Sequence, residues 1–122
     1  MPRPVHFEIP ADNPERLMSF YGAIFGWTFH KFEGGAPYWL VTTGDSKEPG
    51  INGGILPRQY PNQPCVNTTS VANVDESIAA VTANGGEIAL PKMAIPGVGW
   101  LAYAKDPEGH VFGMMQPDPA AK

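Results

Sequence analysis

The sequence predicts an α+β fold in which two βαβββ modules in one chain form a curved mixed sheet around a cleft. Two observations support this prediction. Short stretches of alternating apolar and polar residues flank two segments with apolar residues at helical spacing. The same order of elements recurs about sixty residues further along the 122-residue chain. This length has room for one domain, residues 1–122, whose predicted halves are residues 5–57 and 64–116.

The first half opens with an alternating strand, from Val5 to Ile9, followed by a helix with clear end signals. Asp12 or Asn13 can cap this helix, Pro14 suits its first position, and a glycine at residue 26 can end it. The apolar side that we expect to face the core consists of Leu17, Phe20, Tyr21 and Ile24.

Three further strands complete the first half, at residues 27–32, 38–43 and 51–56. Gly34-Gly35 predicts a turn between the first two of them. Gly53-Gly54 interrupts the third, which indicates a bulge or a close approach by another backbone or a ligand. The proline-containing stretch 57–64 is the predicted linker to the second half.

The second half repeats the order with a strand at 65–71 and a helix that opens at Asn73 or Asp75. Residues 84–86 stop this helix. A short strand at 87–90 precedes a loop, Pro91 to Gly99, that is either a flap over the cleft or part of a subunit interface. Strands at 100–105 and 110–116 follow, and we expect the tail after Pro117 to be mobile.

Composition excludes several functional classes. The formal net charge is −4, and the few Lys and Arg residues are scattered, so we expect neither nucleic acid nor a membrane surface as a partner. One cysteine, Cys65, excludes a disulfide framework and is predicted to be a small buried apolar residue. The first residues lack an apolar leader, so we expect a cytoplasmic protein.

Three motifs resemble those of a known superfamily. His6 is followed by Phe20-Tyr21 and Phe25-Gly26-Trp27, the second helix ends in Asn84-Gly85-Gly86, and Asp106-Pro107-Glu108-Gly109 precedes the last strand. In this order they resemble the glyoxalase, bleomycin-resistance and extradiol-dioxygenase proteins, also called the vicinal oxygen chelate superfamily. The resemblance spans residues 5–116. It is specific for the fold and not for any reaction.

The resemblance implies a divalent metal held by four side chains from the first and last strands of each half. His6 falls at the first ligand position and is the one candidate metal ligand. The other three positions fall at Asn52 or Gly53, at Val66 or Asn67, and at Gly113, where strong ligands are missing. We therefore expect no cofactor and no complete metal site, with a divalent metal as the alternative.

His6 and Glu8 share one side of the first strand and are the candidate catalytic residues. His6 is predicted to be a hydrogen-bonding cleft residue, a general base or a metal ligand. Alternation in the last strand favours Met115 for the cleft and Met114 for the core. The complete set of expected ligand-binding residues is His6, Glu8, Trp39, Asn52, Asn67, Trp100 and Met115.

These residues favour a protein that binds a small, mainly apolar or aromatic molecule without the superfamily's full metal site. The alternative is a metal-dependent lyase, isomerase or dioxygenase of the same superfamily. A third possibility is an accessory domain that acts through protein contacts. The resemblance also implies a homodimer, since paired modules leave sheet edges that a partner usually covers.

Overall fold

The computed structural model describes residues 2–33 and 35–122, which form eight strands and two helices in two βαβββ modules. The predicted fold class is therefore confirmed. Residue 34 of the predicted Gly34-Gly35 turn lies outside the described residues. Neither helix in the described part is long and apolar enough to cross a membrane. The elements are β1 (Arg3–Ala11), α1 (Pro14–Phe25), β2 (Thr28–Lys31), β3 (Trp39–Thr42), β4 (Asn52–Pro57), β5 (Val66–Ser70), α2 (Val74–Ala83), β6 (Glu87–Ile95), β7 (Gly99–Lys105) and β8 (Val111–Pro117).

Each module has the same strand topology. In the first, the strand order is β2-β3-β4-β1, with β1 parallel to β4 and the other neighbours antiparallel. In the second, the order β6-β7-β8-β5 repeats this arrangement, with β5 parallel to β8. The chain divides into compact units of residues 6–65 and 66–122, and residues 2–5 group with the latter.

The ends of α1 follow the sequence signals. The side chain of Asn13 accepts a hydrogen bond from the backbone N–H of Arg16 at 3.1 Å, and Gly26 closes the helix in the left-handed conformation, with φ +73°. The predicted apolar side is partly wrong, because Phe20 is 54% exposed and Ile24 is 51% exposed. Leu17 packs on the core as predicted, and its neighbour Met18 packs there as well.

Each module has its own apolar core beneath its helix. A fully buried Ile55 stands at the centre of the first core, and Val74, also fully buried, anchors the second. The first core contains Ala11, Val41 and Ile55 with Phe7, Ile9, Leu17, Met18, Trp27 and Phe29 packed around them. The second contains Val71, Val74, Ala102, Ala104 and Met114 with Ile78, Val81, Ile88, Trp100 and Phe112.

The predicted loop from Pro91 to Gly99 is wrong over most of its length. Strand β6 continues to Ile95 and pairs with β7. Its register shifts between Ile88 and Leu90 and again between Leu90 and Met93. Proline is tolerated at such irregularities because they do not need its missing N–H, which explains how the strand passes through residue 91.

Two further expectations are corrected. Cys65 is exposed, because it lies in the connection just before β5 and not inside a strand. The C-terminal tail is tied down: Ala121 is 3% exposed and its carbonyl accepts a hydrogen bond from the N–H of Gly97 at 3.0 Å. The N–H of Asp118 donates to the carbonyl of Val98 at 3.0 Å, which fixes the tail to the β6–β7 turn.

Replacing Ile55 by alanine should lower the free energy of unfolding by about 2–5 kcal/mol, because it leaves a cavity in the first core. The measurement is guanidinium unfolding followed by tryptophan fluorescence. Leu90→Ala is the control: this leucine is 45% exposed, so its loss should change stability by about 0.5 kcal/mol or less. Equal losses in the two variants would contradict the assignment of the core.

Candidate functional site

The candidate site lies on the face of the first module that points away from α1. On β1, Phe7 and Ile9 pack into the core, so His6 and Glu8 lie on the opposite face. The parallel register with β4 pairs His6 with Asn52 and Glu8 with the glycine at residue 54. Because side chains alternate along β1, the two candidate catalytic residues lie on the same face of the sheet, opposite the face that α1 covers.

A tyrosine that sequence reasoning missed joins these two side chains. The hydroxyl of Tyr38 donates to Oε2 of Glu8 at 2.9 Å. The same hydroxyl oxygen lies 2.8 Å from Nε2 of His6. The two rings are nearly parallel, with centroids 6.5 Å apart and planes 13° apart. All three side chains are half-buried, so they form a connected polar group, which we call the His6–Tyr38–Glu8 triad.

Glycine in β4 makes room for the triad. Residue Leu40 of β3 pairs with Gly54, and Tyr38 lies two residues earlier on the same face. A Cβ atom on Gly54 would overlap the phenol of Tyr38, and one on Gly53 would overlap the ring of Phe7 on the other face. The sequence predicted a bulge or a close approach by another backbone or a ligand at Gly53-Gly54, and the structure shows a close approach by side chains of this chain instead.

Electrostatics keep the imidazole of His6 neutral near pH 7. Burial lowers the pKa of His6 because a charged ring loses hydration, and the negative charge of Glu8 opposes this by raising the pKa. Burial is the larger effect. A neutral imidazole has one nitrogen that can accept a proton, which a general base requires.

The other predicted residues of the first module do not join the triad. Trp39 alternates with Tyr38 and lies on the side of the buried Val41, with the Lys31 ammonium 5.8 Å from the centre of its ring. Asn52 shares the face of the triad, but its Oδ1 accepts a hydrogen bond from the backbone N–H of Thr43 at 2.9 Å. Its side-chain oxygen thus holds the start of the β3–β4 connection.

The second module contains the remaining predicted residues. Trp100 packs on the core, and its Nε1–H donates to Asp118 at 3.0 Å. Met115 lies on the opposite face from Met114, which is buried in the core as predicted. Asn67 is exposed on β5. Of these three residues, only Met115 lies on the face away from the helix. Its partner in register on β7, the buried Leu101, lies on the same face.

The second module has no equivalent of the triad. Thr68 pairs with Gly113 as Glu8 pairs with Gly54, and Val66 stands two residues earlier, as His6 does. A hydroxyl and an aliphatic side chain replace the carboxylate and the imidazole. At these matched positions, the imidazole and the carboxylate are therefore present in the first module and absent from the second.

The residues present do not fit the superfamily's metal. Within residues 2–33 and 35–122, no group of three or more His, Cys, Asp or Glu side chains is arranged to hold an ion. The positions where the resemblance implies His, Gln or Glu fall at Asn52 or Gly53, at Val66 or Asn67, and at Gly113. Nε2 of His6 is engaged in the hydrogen bond with Tyr38.

Two surface depressions lie on the first module, and neither is lined by a residue of the triad. One, of about 580 Å³, is lined by Asp12 and residues 58–62, and an ion pair between Arg58 and Asp12 at 2.9 Å spans it. The other, of about 120 Å³, is lined by residues 43–46, 48–50 and Asn52. Asn52 is the one predicted site residue in their linings, so neither depression reproduces the predicted site.

Comparison with known proteins supports the resemblance. No family model matches the sequence. A protein named "Putative glyoxylase CFP32", from Mycobacterium bovis and from Mycobacterium tuberculosis, is 31% identical over 114 residues. These residues are 92% of this chain and 43% of the relative, so the chain spans less than half the length of the curated relatives it matches.

Solved structures share the fold at low sequence identity. A hypothetical protein, BH1468 of Bacillus halodurans, is 13% identical with a TM-score of 0.73, covering 99% of this chain and 98% of its own. Methylmalonyl-CoA epimerase from Mycobacterium tuberculosis is 10% identical with a TM-score of 0.72, covering 95% and 88%. The Streptomyces coelicolor methylmalonyl-CoA epimerase with 2-nitronate-propionyl-CoA is 14% identical with a TM-score of 0.71, covering 98% and 97%.

The fold and the His6 motif define a domain of two βαβββ modules with a polar group on one sheet face. Together with the named relatives, they confirm the resemblance proposed from the sequence. A relative named a putative glyoxylase supports the resemblance to the glyoxalase, bleomycin-resistance and extradiol-dioxygenase superfamily, and the solved structures show that the fold is shared.

The pKa of His6 should lie below the value of about 6.5 for an unfolded chain. The unfolded state then binds more protons at mildly acidic pH, so the free energy of unfolding should fall as the pH drops from 7 to about 5.5. This fall should be smaller in His6→Gln, and Glu8→Gln should lower the pKa of His6 further. Proton NMR titration measures the pKa; a value above that of the unfolded chain contradicts the account.

Gly54→Ala should displace Tyr38 and break both hydrogen bonds of the triad, at a cost of about 1–3 kcal/mol from overpacking. NMR signals of the His6 and Tyr38 rings and denaturant unfolding measure the two effects. Gly44→Ala is the matched control, since its added Cβ meets only Glu48, at 3.8 Å. Unchanged ring signals in Gly54→Ala would contradict the packing described.

Proposed function

We propose that this domain binds a small molecule at the face formed by His6, Tyr38 and Glu8, without the superfamily's full metal site. The observation that carries the proposal is the triad itself. Three half-buried polar side chains are joined by hydrogen bonds of 2.8 and 2.9 Å on a sheet face without a helix. Such a preorganised group can orient a ligand without paying to order its own side chains.

The surroundings of the triad indicate the chemical character of the ligand. Leu40, 37% exposed, pairs with Gly54 and offers apolar surface beside the phenol ring of Tyr38. The imidazole of His6 offers a hydrogen-bonding group. The proposed ligand is therefore small, with an aromatic or apolar part that packs on Leu40 and Tyr38 and a polar group that meets His6.

The relatives support a small-molecule role in general terms. One relative's name includes glyoxylase, and structural neighbours are methylmalonyl-CoA epimerases. The alternative, a metal-dependent lyase, isomerase or dioxygenase, is less well supported because the described residues supply no second strong ligand at the superfamily's positions. The homodimer and the cytoplasmic location remain predictions.

Binding can be tested with benzoate, phenol and catechol as probes. A probe that occupies the site should raise the melting temperature and shift the NMR signals of the His6 ring. His6→Gln and Tyr38→Phe should weaken its binding about tenfold, the loss of roughly 1.4 kcal/mol expected from one hydrogen bond in a partly buried site.

The matched controls are His110→Gln, in an exposed turn of the second module, and Tyr60→Phe, at an exposed tyrosine of the first. Neither should change the affinity. Equal affinity in wild type, His6→Gln and Tyr38→Phe would refute binding at the triad. Stoichiometric metal in the purified protein by elemental analysis would instead favour the metal-dependent alternative.

A further inference from the structure

The larger surface depression of the first module contains one positive and one negative side chain. Arg58, just after β4, and Asp12, just after β1, both line it, and Nε of the arginine lies 2.9 Å from Oδ1 of the aspartate. Because β1 and β4 run parallel, the two residues leave the sheet at the same edge. The volume of this Arg58–Asp12 depression, about 580 Å³, lies within the range of roughly 300–1,000 Å³ that small-molecule sites occupy.

Hydrogen bonds hold the segment that carries Arg58. The backbone N–H of Arg58 donates to the carbonyl of Ala11 at 2.9 Å, and its Nη1 donates to the carbonyl of Gln63 at 3.0 Å. The N–H of Gln59 donates to Oε1 of Gln63 at 2.6 Å, and the N–H of Gln63 donates to the carbonyl of Tyr60 at 3.2 Å. The segment is therefore ordered already, and a ligand does not have to order it on binding.

The ion pair leaves hydrogen-bonding groups unused on both partners. Arg58 donates through Nε and Nη1, whereas its Nη2, which has two N–H groups, makes no hydrogen bond with any residue that the structure describes. Asp12 accepts from Arg58 through Oδ1, and its Oδ2 likewise makes no hydrogen bond with the described residues. The side chain of Asp12 is 76% exposed and that of Arg58 is 30% exposed, so a molecule in the depression can reach both.

We propose that the Arg58–Asp12 depression binds an α-amino acid, whose carboxylate accepts from Nη2 of Arg58 and whose ammonium group donates to Oδ2 of Asp12. The pair of opposite charges selects this class of ligand. A simple anion at Arg58 is repelled by Asp12, and a simple cation at Asp12 is repelled by Arg58. An α-amino acid has both charges on one carbon, so each of its charges meets the opposite sign.

Tyr60 gives the site a preference among amino acids. This tyrosine lines the depression next to Pro61 and is 51% exposed, so part of its ring is open to a ligand. An aromatic side chain on the ligand can pack against that ring, because aromatic rings attract one another in offset or edge-to-face arrangements. The preferred ligand is therefore an aromatic amino acid.

The test uses three probes that differ in charge. They are L-phenylalanine, hydrocinnamate, which lacks the ammonium group, and phenethylamine, which lacks the carboxylate. NMR titration of ¹⁵N-labelled protein follows the Nε–H signal of Arg58 and the backbone amides of Gln59, Tyr60 and Asn62. L-phenylalanine should bind in the millimolar range, because exposed ion pairs each add little affinity. The other two probes should bind about tenfold more weakly.

Two substitutions should change the order of the probes. Asp12→Asn removes the charge that repels hydrocinnamate, so hydrocinnamate should bind more tightly than to wild type, while L-phenylalanine binds about tenfold more weakly. Arg58→Gln should likewise strengthen phenethylamine and weaken L-phenylalanine. A substitution that only disrupts the segment weakens every probe, so a gain for one probe separates loss of charge from loss of structure. Weakening of all three probes in both variants overturns the proposal.

Two further variants complete the test. Tyr60→Ala should weaken L-phenylalanine about threefold by removing the ring on which it packs. Arg3→Gln, at an exposed arginine at the start of β1, is the matched control and should bind every probe as wild type does.

Three results with wild type would overturn the proposal. They are equal affinity for the three probes, absence of shifts in the depression up to the solubility limit of L-phenylalanine, and shifts confined to the His6 ring. The proposed function is tested separately, because no residue of the triad lines the depression.

Discussion

The position of one phenol ring determines the properties of the candidate site. Tyr38 lies in the space that a side chain on Gly54 would fill, and from there its hydroxyl reaches both Glu8 and His6. Without this contact, the carboxylate of Glu8 and the imidazole of His6 would lie on one face of β1 with no hydrogen-bonded connection between them. The close packing of Tyr38 against Gly54 thus places its hydroxyl where it can form hydrogen bonds with both side chains.

Comparison of the two modules shows how specific this arrangement is. In each module, a glycine of the last strand lies in register with a polar residue of the first strand: Gly54 beside Glu8, and Gly113 beside Thr68. In the second module, a Cβ on Gly113 would meet Thr68 and the ring of Tyr103. The second module thus repeats the close packing of side chains against a glycine. The side chains around Gly113 carry hydroxyl groups, which do not titrate near neutral pH.

Sequence reasoning predicted the fold and singled out two of the three side chains of the triad. Caps, helical spacing and the repeat gave the element order because these signals are local. His6 and Glu8 followed from alternation within one strand. Tyr38 was missed because its contacts depend on the pairing of β1, β3 and β4, which are distant in the chain. The one available signal was the Gly53-Gly54 pair, which predicted a bulge or a close approach but did not identify Tyr38 as the approaching residue.

The differences between the expectations and the structure have the same origin. Trp39 and Trp100 were predicted to line a cleft because they are large and apolar, yet each alternates onto the side of its module's helix. Alternation shows which residues of a strand share a face. It shows which face points to the core only when one residue of that strand has already been placed. Pro91 suggested a loop because a regular strand excludes it, and the register shifts that accommodate it in β6 are not visible in the sequence.

Because the carboxylate of Glu8 can only accept, the Tyr38 hydroxyl donates to it, and Nε2 of His6 must donate to the Tyr38 oxygen. This direction is the central claim, and neutron diffraction from deuterated crystals at neutral pH locates those protons directly. The account predicts a deuterium on Nε2 of His6, none on Nδ1, and a Tyr38 deuteroxyl that points at Glu8. A deuterium on Nδ1, with the Tyr38 deuteroxyl directed at a bare Nε2, would contradict it.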